Sequence, residues 1–309
     1  MSKVVVTKEK LVAIGDALRD KTEATEAYSL DEMPEVIQGI KSGGADFTIS
    51  DASYLFAEGS RLDIMDILLD CVSNLTNTAH MFSNCRTLKS IDLSKIDTSQ
   101  VTNMSAMFNN CALIKNLDLS NFDTSNVTNM SSMFYGCNNL ETVNLSSFNT
   151  SKATTMAQMF YNCSNLLRLD MSNFDTSNVD SISYFCSSRK LEEFIGFSAT
   201  KSAGTSLTNT FPTGTSTSTS GRAALKRLTF RTDLGEGVYA IRSAFSIKNC
   251  SFTREGMVEM FNTLPDISSL GLSASNTKIT ITGNPCLTDG TLTDEDRAIA
   301  TSKGWTLVE

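Results

Sequence analysis

Apolar residues recur along the middle of the chain at a fixed spacing. Leucine or isoleucine follows each repeated phenylalanine after six residues, and two more apolar columns follow after nine and eleven, as in Leu88, Ile91 and Leu93. A period of this length is typical of a chain that winds into stacked coils. The phenylalanines stand 26 residues apart, with a last step of 25: Phe56, Phe82, Phe108, Phe134, Phe160 and Phe185.

The last two apolar columns predict a short strand in each repeat. Ile91 and Leu93 both point inward only if Asp92 points outward, which is the alternation of an extended segment. One coil cannot bury its apolar face alone, so successive coils are expected to stack and their strands to form a parallel sheet. The pattern therefore predicts an α/β fold, a leucine-rich-repeat solenoid with a stacked parallel β-sheet.

The repeat unit also has a distinctive amino-acid sequence. Residues 107–111 read Met-Phe-Asn-Asn-Cys, and residues 117–131 read Leu-Asp-Leu-Ser-Asn-Phe-Asp-Thr-Ser-Asn-Val-Thr-Asn-Met-Ser. This unit resembles the BspA-like leucine-rich repeats of bacterial surface proteins and phage tail proteins, over roughly residues 55 to 195. Gly59 and Ser188 replace the repeat cysteine and Thr78 replaces the repeat methionine, so these coils are expected at the edges of the array.

The flanks predict three segments. Apolar stripes in residues 1–44 predict two short helices that form a small helical module, ending at a Gly-Gly pair. Residues 45–250 form the array, interrupted by a mobile Ser/Thr-rich loop over about 198–222, after which Leu225, Leu228 and Phe230 resume the spacing. Residues 251–309 predict an α+β C-terminal cap, with helices that begin after Thr253 and Thr293.

Both ends carry a second resemblance. Residues 6–17 and 30–37 resemble the small helical module that begins many tail proteins of phages infecting Gram-positive hosts, and residues 292–305 resemble the ends of phage-encoded repeat proteins. The resemblance implies attachment to other tail or baseplate proteins through residues 1–44, with the repeats facing outward.

The net charge and the hydropathy of the chain restrict the classes of partner that it can bind. With 34 acidic and 26 basic residues the net charge is −8, which argues against nucleic acid or anionic lipid as a partner. No run of 18 apolar residues predicts membrane insertion, and the first residues become charged too early for the apolar region of a secretory signal. We therefore expect synthesis in the host cytoplasm and a place in the virion tail, with the cell surface as the alternative.

The sequence offers few groups for catalysis or cofactor binding. Cysteines one repeat apart predict a buried, reduced ladder and not a metal site or disulfide: Cys85, Cys111, Cys137 and Cys163. His80 is the sole histidine, its column is polar and variable, and exposure is expected there. No nucleophile elbow or phosphate loop accompanies it. We expect no enzymatic activity, no cofactor and no metal.

Two columns are candidates for ligand binding. Acidic or amide side chains are expected to project outward about 4.8 Å apart, at Asp92, Asp118, Asn144 and Asp170. A cation or a hydroxyl-rich glycan could ease their mutual repulsion, and the alternative is a solvated face. The column that begins at Asp97 and Asp123 is expected to form turns.

The second candidate is aromatic. Tyr135 and Tyr161 share one column and predict an exposed recognition surface, with partial burial between coils as the alternative. Together these features predict a phage tail or baseplate receptor-binding protein whose partner is a host-surface glycan or protein. The alternative is a bacterial cell-surface adhesin, and the sequence leaves a homo-oligomer open.

Overall fold

The computed structural model describes residues 49–58, 72–180, 182–197, 211–213, 223–231, 245–269, 272 and 275–309. The predicted module at 1–44, the coil positions 59–71 and most of the predicted loop at 198–222 lie outside the described residues. The strands are β1 Ile49–Asp51, β2 Val72–Asn77, β3 Asn116–Asp118, β4 Thr142–Asn144, β5 Arg168–Asp170, β6 Glu193–Phe197, β7 Arg227–Phe230, β8 Phe245–Ser246, β9 Lys278–Thr280 and β10 Thr306–Val308. The helices are α1 Arg254–Thr263, α2 Pro285–Thr288 and α3 Asp294–Ser302.

Short parallel strands from successive repeats lie side by side. β3 pairs with β4, β5 with β6 and β6 with β7, each in parallel register. Leu117 stands opposite Val143, and Leu169 stands opposite Phe194, so the apolar columns face each other across the ladders. The stacking of short parallel strands predicted from the sequence is confirmed.

The predicted sheet is wrong in one respect, because it is not continuous along the array. Residues 91–93 carry the strand pattern but form no strand, and β4 and β5 belong to different sheets. Between β4 and β5 the Leu167 amide donates to the Glu141 carbonyl, at 3.3 Å. A period-2 pattern fixes which side chains face the core, whereas a strand also requires a regular ladder of bonds to its neighbour.

A second set of backbone bonds joins the coils away from these strands. From Phe56 to Phe134, the amide of each repeat phenylalanine donates to the carbonyl of the next coil's methionine, as from Phe108 to Met133 and from Phe134 to Met159, both at 2.9 Å. Isolated parallel bridges link one residue of each coil to the next: Asn77, Asn103, Asn129 and Thr155. Each repeat is thus bonded to its neighbours at several points around the coil.

The interior is a series of aligned side-chain columns. Phe82, Phe108, Phe134 and Phe160 are all fully buried, and their rings stack at centroid separations of 5.4, 5.8 and 5.0 Å with planes within 15° of parallel. The leucine, valine and methionine columns around them are also buried. One apolar cluster extends from Ala52 to Trp305, so the described segments share a single core.

In the last full repeat, Phe185 does not lie in the phenylalanine column in which the sequence predicts it. The Phe160 amide donates to the Phe185 carbonyl as the Phe134 amide donates to that of Met159, so Phe185 occupies the methionine column. Cys186 bridges to Phe160 and takes the phenylalanine place. The missing residue of the 25-residue step therefore falls between Cys186 and Ser188, after the phenylalanine place.

The last described segments complete the same core. Helix α1 packs over β7, where Gly256 leaves room for the Lys226 carbonyl: a Cβ at this glycine would stand 2.2 Å from that oxygen. Thr253 and Thr293 cap α1 and α3, as predicted. Phe211 lies within the range predicted as a mobile loop, but its ring is buried against its aromatic neighbours Phe194, Phe197, Phe230 and Phe245.

Gly196 and Gly290 have nearly the same φ angle but different surroundings. Comparing an alanine substitution at each therefore distinguishes the cost of a steric clash from the cost of backbone strain. Gly196 (φ 71°) packs against Ser172, whose Cα would lie 2.5 Å from an added Cβ, whereas Gly290 (φ 70°) has nothing within 4 Å. Gly290→Ala is expected to lower the free energy of unfolding by about 1–2 kcal/mol. Gly196→Ala should cost about 1–3 kcal/mol more, because backbone must move. Equal losses in urea unfolding would contradict this packing.

The ion pair between α1 and α3 predicts a dependence on acid. Two hydrogen bonds from Arg254, with a third from the Thr293 amide, lower the pKa of the buried Asp296 carboxyl to about 2. A lowered folded-state pKa stabilises the fold above pH ~4, and that contribution is lost as the pH falls towards 2.

Asp296→Asn should therefore lower the melting temperature at neutral pH, and the difference from the unchanged protein should shrink as the pH falls from about 4 to about 2. Asp294→Asn is the matched control, since Asp294 lies in the same helical turn with a fully exposed side chain. A difference that stays constant with pH would show that the Arg254 pair does not act this way.

Candidate functional site

The predicted acidic column lies on the surface, and its side chains are already engaged. Asp92, Asp118, Asn144 and Asp170 are exposed. In each, Oδ1 accepts the amide of the residue two places on, a serine, at distances of 2.9 to 3.1 Å. Such bonds form tight turns. The column therefore forms a turn in each of these coils, a role that the sequence had predicted only for the column beginning at Asp97.

Two members of the acidic column bond each other, and a third pairs with an arginine. Asn144 Nδ2 donates to Asp118 Oδ1 at 3.1 Å, so the amide relieves the expected repulsion at that place. Asp170 accepts from Arg168 at 3.0 Å. The turn bonds from Ser94 and Ser120 lower the pKa of Asp92 and Asp118 below the ordinary value. The carboxylates are thus stabilised in their charged form by the chain itself.

The second column forms the turns predicted for it. Asp97, Asp123, Asn149 and Asp175 each accept the amide two residues on, at 2.9 to 3.1 Å. The threonine that follows is buried and donates to the carbonyl of the next coil, as Thr124 does to Asn149 at 2.9 Å. Asn121 and Asn173 donate in the opposite direction, to the carbonyls of Leu93 and Leu145. Polar side chains here hold neighbouring coils together.

The cysteine ladder is buried and reduced, as predicted. Each thiol donates to the carbonyl of the preceding coil's phenylalanine: Cys85 to Phe56, Cys111 to Phe82, Cys137 to Phe108 and Cys163 to Phe134, at 3.0 to 3.1 Å. Burial raises the pKa of Cys137 to about 12, so the thiolate that metals and electrophiles require is disfavoured. No cluster of three metal-ligating side chains occurs among the residues that the structure describes.

His80 is half-buried, where the sequence had predicted an exposed side chain. Its ring stacks on Tyr54 at 4.5 Å with planes 6° apart, and burial lowers its pKa. The backbone of His80 is left-handed (φ 58°), and the same conformation recurs once per coil, ending at Tyr184 (φ 53°). An alignment of the sequence on Phe185 puts Ser183 in this column, whereas the structure puts Tyr184 there.

The aromatic candidates form a cluster that includes one residue the sequence analysis missed. Tyr135 and Tyr161 are half-buried and stack at 5.6 Å. Tyr184 meets Tyr161 edge to face at 5.7 Å and is 44% exposed. The corrected alignment of the last repeat is the signal that would have placed Tyr184 beside Tyr161. We call Tyr135, Tyr161 and Tyr184 the tyrosine patch.

The acidic column and the tyrosine patch therefore differ in the contacts that their side chains make. The acidic column is tied to its own backbone at every member, whereas the tyrosine patch is held by ring contacts and keeps exposed surface. None of the described helices is long and apolar enough to cross a membrane.

The turn role of the acidic column can be tested at Asp118. Asp118→Ala removes the acceptor for the Ser120 amide and should lower the melting temperature. Asp118→Asn keeps an oxygen there, as Asn144 does in the next coil, and should leave the melting temperature close to that of the unchanged protein. If both variants melt alike, the side-chain oxygen does not stabilise this turn.

Comparison with known proteins places the repeats but assigns no activity. Residues 51–195, just under half of the 309-residue chain, match the family described as "Mycoplasma protein of unknown function, DUF285". No curated protein matches the chain. The matched family consists of BspA-like repeats, so the repeat class predicted from the sequence is confirmed, and the chain is similar to that family over its repeat array.

Proposed function

We propose that this protein is a host-recognition protein of a phage tail or baseplate, which binds a host-surface molecule with the outside of a leucine-rich-repeat solenoid. The observation that carries the proposal is that each coil has a buried apolar side and an exposed side with a regular arrangement of side chains. One continuous apolar core aligns the repeats, and the coils present their exposed side chains in a regular array. Such an array offers an extended surface for a large partner.

Binding is better supported than catalysis by the state of the polar groups. The carboxylates of the two acidic columns accept bonds from their own turns, and burial raises the pKa of the thiols of Cys111, Cys137 and Cys163. General acid–base or nucleophilic catalysis needs groups that converge on one reacting atom. The repeats instead place like groups in lines, which suits recognition. We propose that the chain is not an enzyme.

The assignment to a tail rests on the resemblance of residues 6–17 and 30–37 to the first module of phage tail proteins. On this proposal residues 1–44 attach to other tail or baseplate proteins, residues 45–250 form the solenoid, and residues 251–309 cap its end. The described part of the last segment packs into the same core as the repeats, which is the arrangement that a cap requires.

A bacterial cell-surface adhesin is the second candidate. The matched family is described from Mycoplasma, a cellular organism, and this observation supports a protein of the cell as the alternative to a virion component. Both candidates bind through the repeat surface and differ in where the protein is found.

Immunoelectron microscopy distinguishes the two candidates. Antibodies raised against the purified full chain are applied to phage particles induced from the source strain and to uninfected cells of that strain. We expect labelling at the particle tail, and fluorescently labelled protein should bind intact Gram-positive cells from a panel of strains. Labelling of uninfected cells without labelling of particles would favour the adhesin. If the antibodies label neither particles nor cells, and the fluorescent protein binds no cells, both candidate functions are overturned.

A further inference from the structure

We propose that the tyrosine patch, and not the acidic column, is the surface through which this chain binds, and that its occupant is an uncharged patch on a folded protein. The inference rests on the proposed host-recognition function and names the partner class for it. Four observations carry it: the distribution of variable positions, the exposed apolar side chains among them, the backbone conformation beneath them, and the absence of charge in two columns.

Each repeat consists of a uniform arc and a variable arc. The uniform arc is residues 117–131 and their equivalents in other coils, in which the outward positions repeat Asp or Asn, Ser and Thr. The variable arc is residues 106–116 and their equivalents, whose outward positions change from coil to coil while the inward ones stay apolar. All coils share one fold, and this accounts for the outward residues that recur from coil to coil. It does not account for the outward residues that change.

Contacts between coils account for the uniform arc. Its side chains bond the backbone of their own turn or of a neighbouring coil, as Thr128 Oγ1 does to the Thr102 carbonyl at 3.1 Å and Asn126 Nδ2 does to the Ser99 carbonyl at 2.7 Å. Replacing such a residue removes a bond between coils, and the same kind of bond recurs in other coils, as from Asn178 to Ser151 and from Thr154 to Thr128. The acidic column belongs to this arc, so its regularity follows from the fold and needs no ligand.

The variable arc carries the exposed apolar surface. Among the described residues, the large apolar or aromatic side chains that are most exposed all lie in this arc, with exposed fractions from 38% to 51%: Tyr54, Leu113, Leu167 and Tyr184. Exposed aromatic groups contribute contact area when a partner covers them. The apolar surface available for a partner is therefore on the variable side of the coil.

The backbone beneath the variable arc points to the same side chains. Most described coils have two left-handed positions, and after Glu58 one of these columns uses residues that suit that conformation, namely Asn84, Asn110, Gly136 and Asn162. The other column has one residue type that is enriched there, at His80, and otherwise residues that are not: it reads Tyr54, His80, Ala106, Ser132, Gln158 and Tyr184, with φ from 52° to 60°. A left-handed backbone costs such residues about 1–2 kcal/mol each. Their identities are thus not explained by the backbone that carries them.

The chemistry of the patch fits a protein partner. The left-handed column and the neighbouring column of Ser83, Asn109, Tyr135, Tyr161 and Ser187 contain no Asp, Glu, Lys or Arg, although the chain carries a net charge of −8. Tyrosine supplies rigid amphipathic contact area, and Ser, Asn and Gln supply adaptable hydrogen bonds, as in antibody paratopes. An uncharged surface of this kind complements an uncharged protein patch and offers no counter-charge to a cation or a polyanion.

The test uses two triple variants of the full chain in which each new residue already occupies the equivalent place in another coil. The patch variant is Tyr135→Asn, Tyr161→Ser and Tyr184→Gln, following Asn109, Ser187 and Gln158. The control variant is Asp92→Asn, Asp118→Asn and Asp170→Asn, following Asn144. Both are measured for melting temperature and for binding of fluorescent protein to the Gram-positive cells of the panel, with and without protease digestion or periodate oxidation of the cells.

We expect the patch variant to bind at least about tenfold more weakly at a nearly unchanged melting temperature, and the control variant to bind like the unchanged protein. Protease digestion of the cells should abolish binding, and periodate oxidation should not. Full binding by the patch variant, or binding that resists protease and is lost on oxidation, overturns this inference and leaves the proposed function standing. Absence of binding by the unchanged protein to every strain overturns both.

Discussion

The contact between one coil and the next is the interaction on which the rest of this structure depends. A single 26-residue coil has one turn of apolar side chains and cannot bury them by itself. Stacking places each phenylalanine ring against the next and pairs backbone amides with carbonyls of the adjacent coil. The core is therefore built from neighbour contacts of one kind repeated along the chain, and the cap segments join the same core at its end.

This constraint also explains the polar surface. Asp or Asn accepts the amide of its own turn, and Thr donates to a carbonyl of the next coil, so Asp, Asn and Thr recur at the same places in successive repeats. Regular rows of carboxylates look like a ligand site in the sequence, yet each member accepts the amide of its own turn. The variable arc also contributes bonds between coils, as from Cys111 to Phe82 and from Asn110 to Asn84, but its outward residues differ from coil to coil, and there the exposed tyrosines and leucines lie.

Most of the interior could be predicted from the sequence, because burial in a stacked coil imposes a strict period. The phenylalanine, leucine and cysteine columns, the Asp97 turns and the caps at Thr253 and Thr293 are where the pattern placed them. The place of Phe185 could not be predicted, since a phenylalanine fits the methionine column as well, and only the backbone bond from Phe160 distinguishes the two alignments. Tyr184, the third member of the tyrosine patch, was missed for that reason, whereas Tyr135 and Tyr161 were predicted as a recognition surface. The break between β4 and β5 depends on ladder geometry that no side-chain period encodes.

Native-state amide hydrogen exchange tests most directly whether the coils are held by their neighbours. The amides of Phe82, Phe108 and Phe134 donate to carbonyls one coil away, whereas the Ser94 amide is bound only within its own exposed turn. The account predicts that the three phenylalanine amides exchange with the slow rates of global unfolding and that Ser94 exchanges much faster. Phenylalanine amides that exchange as fast as Ser94 would contradict the stacked coils and everything argued from them.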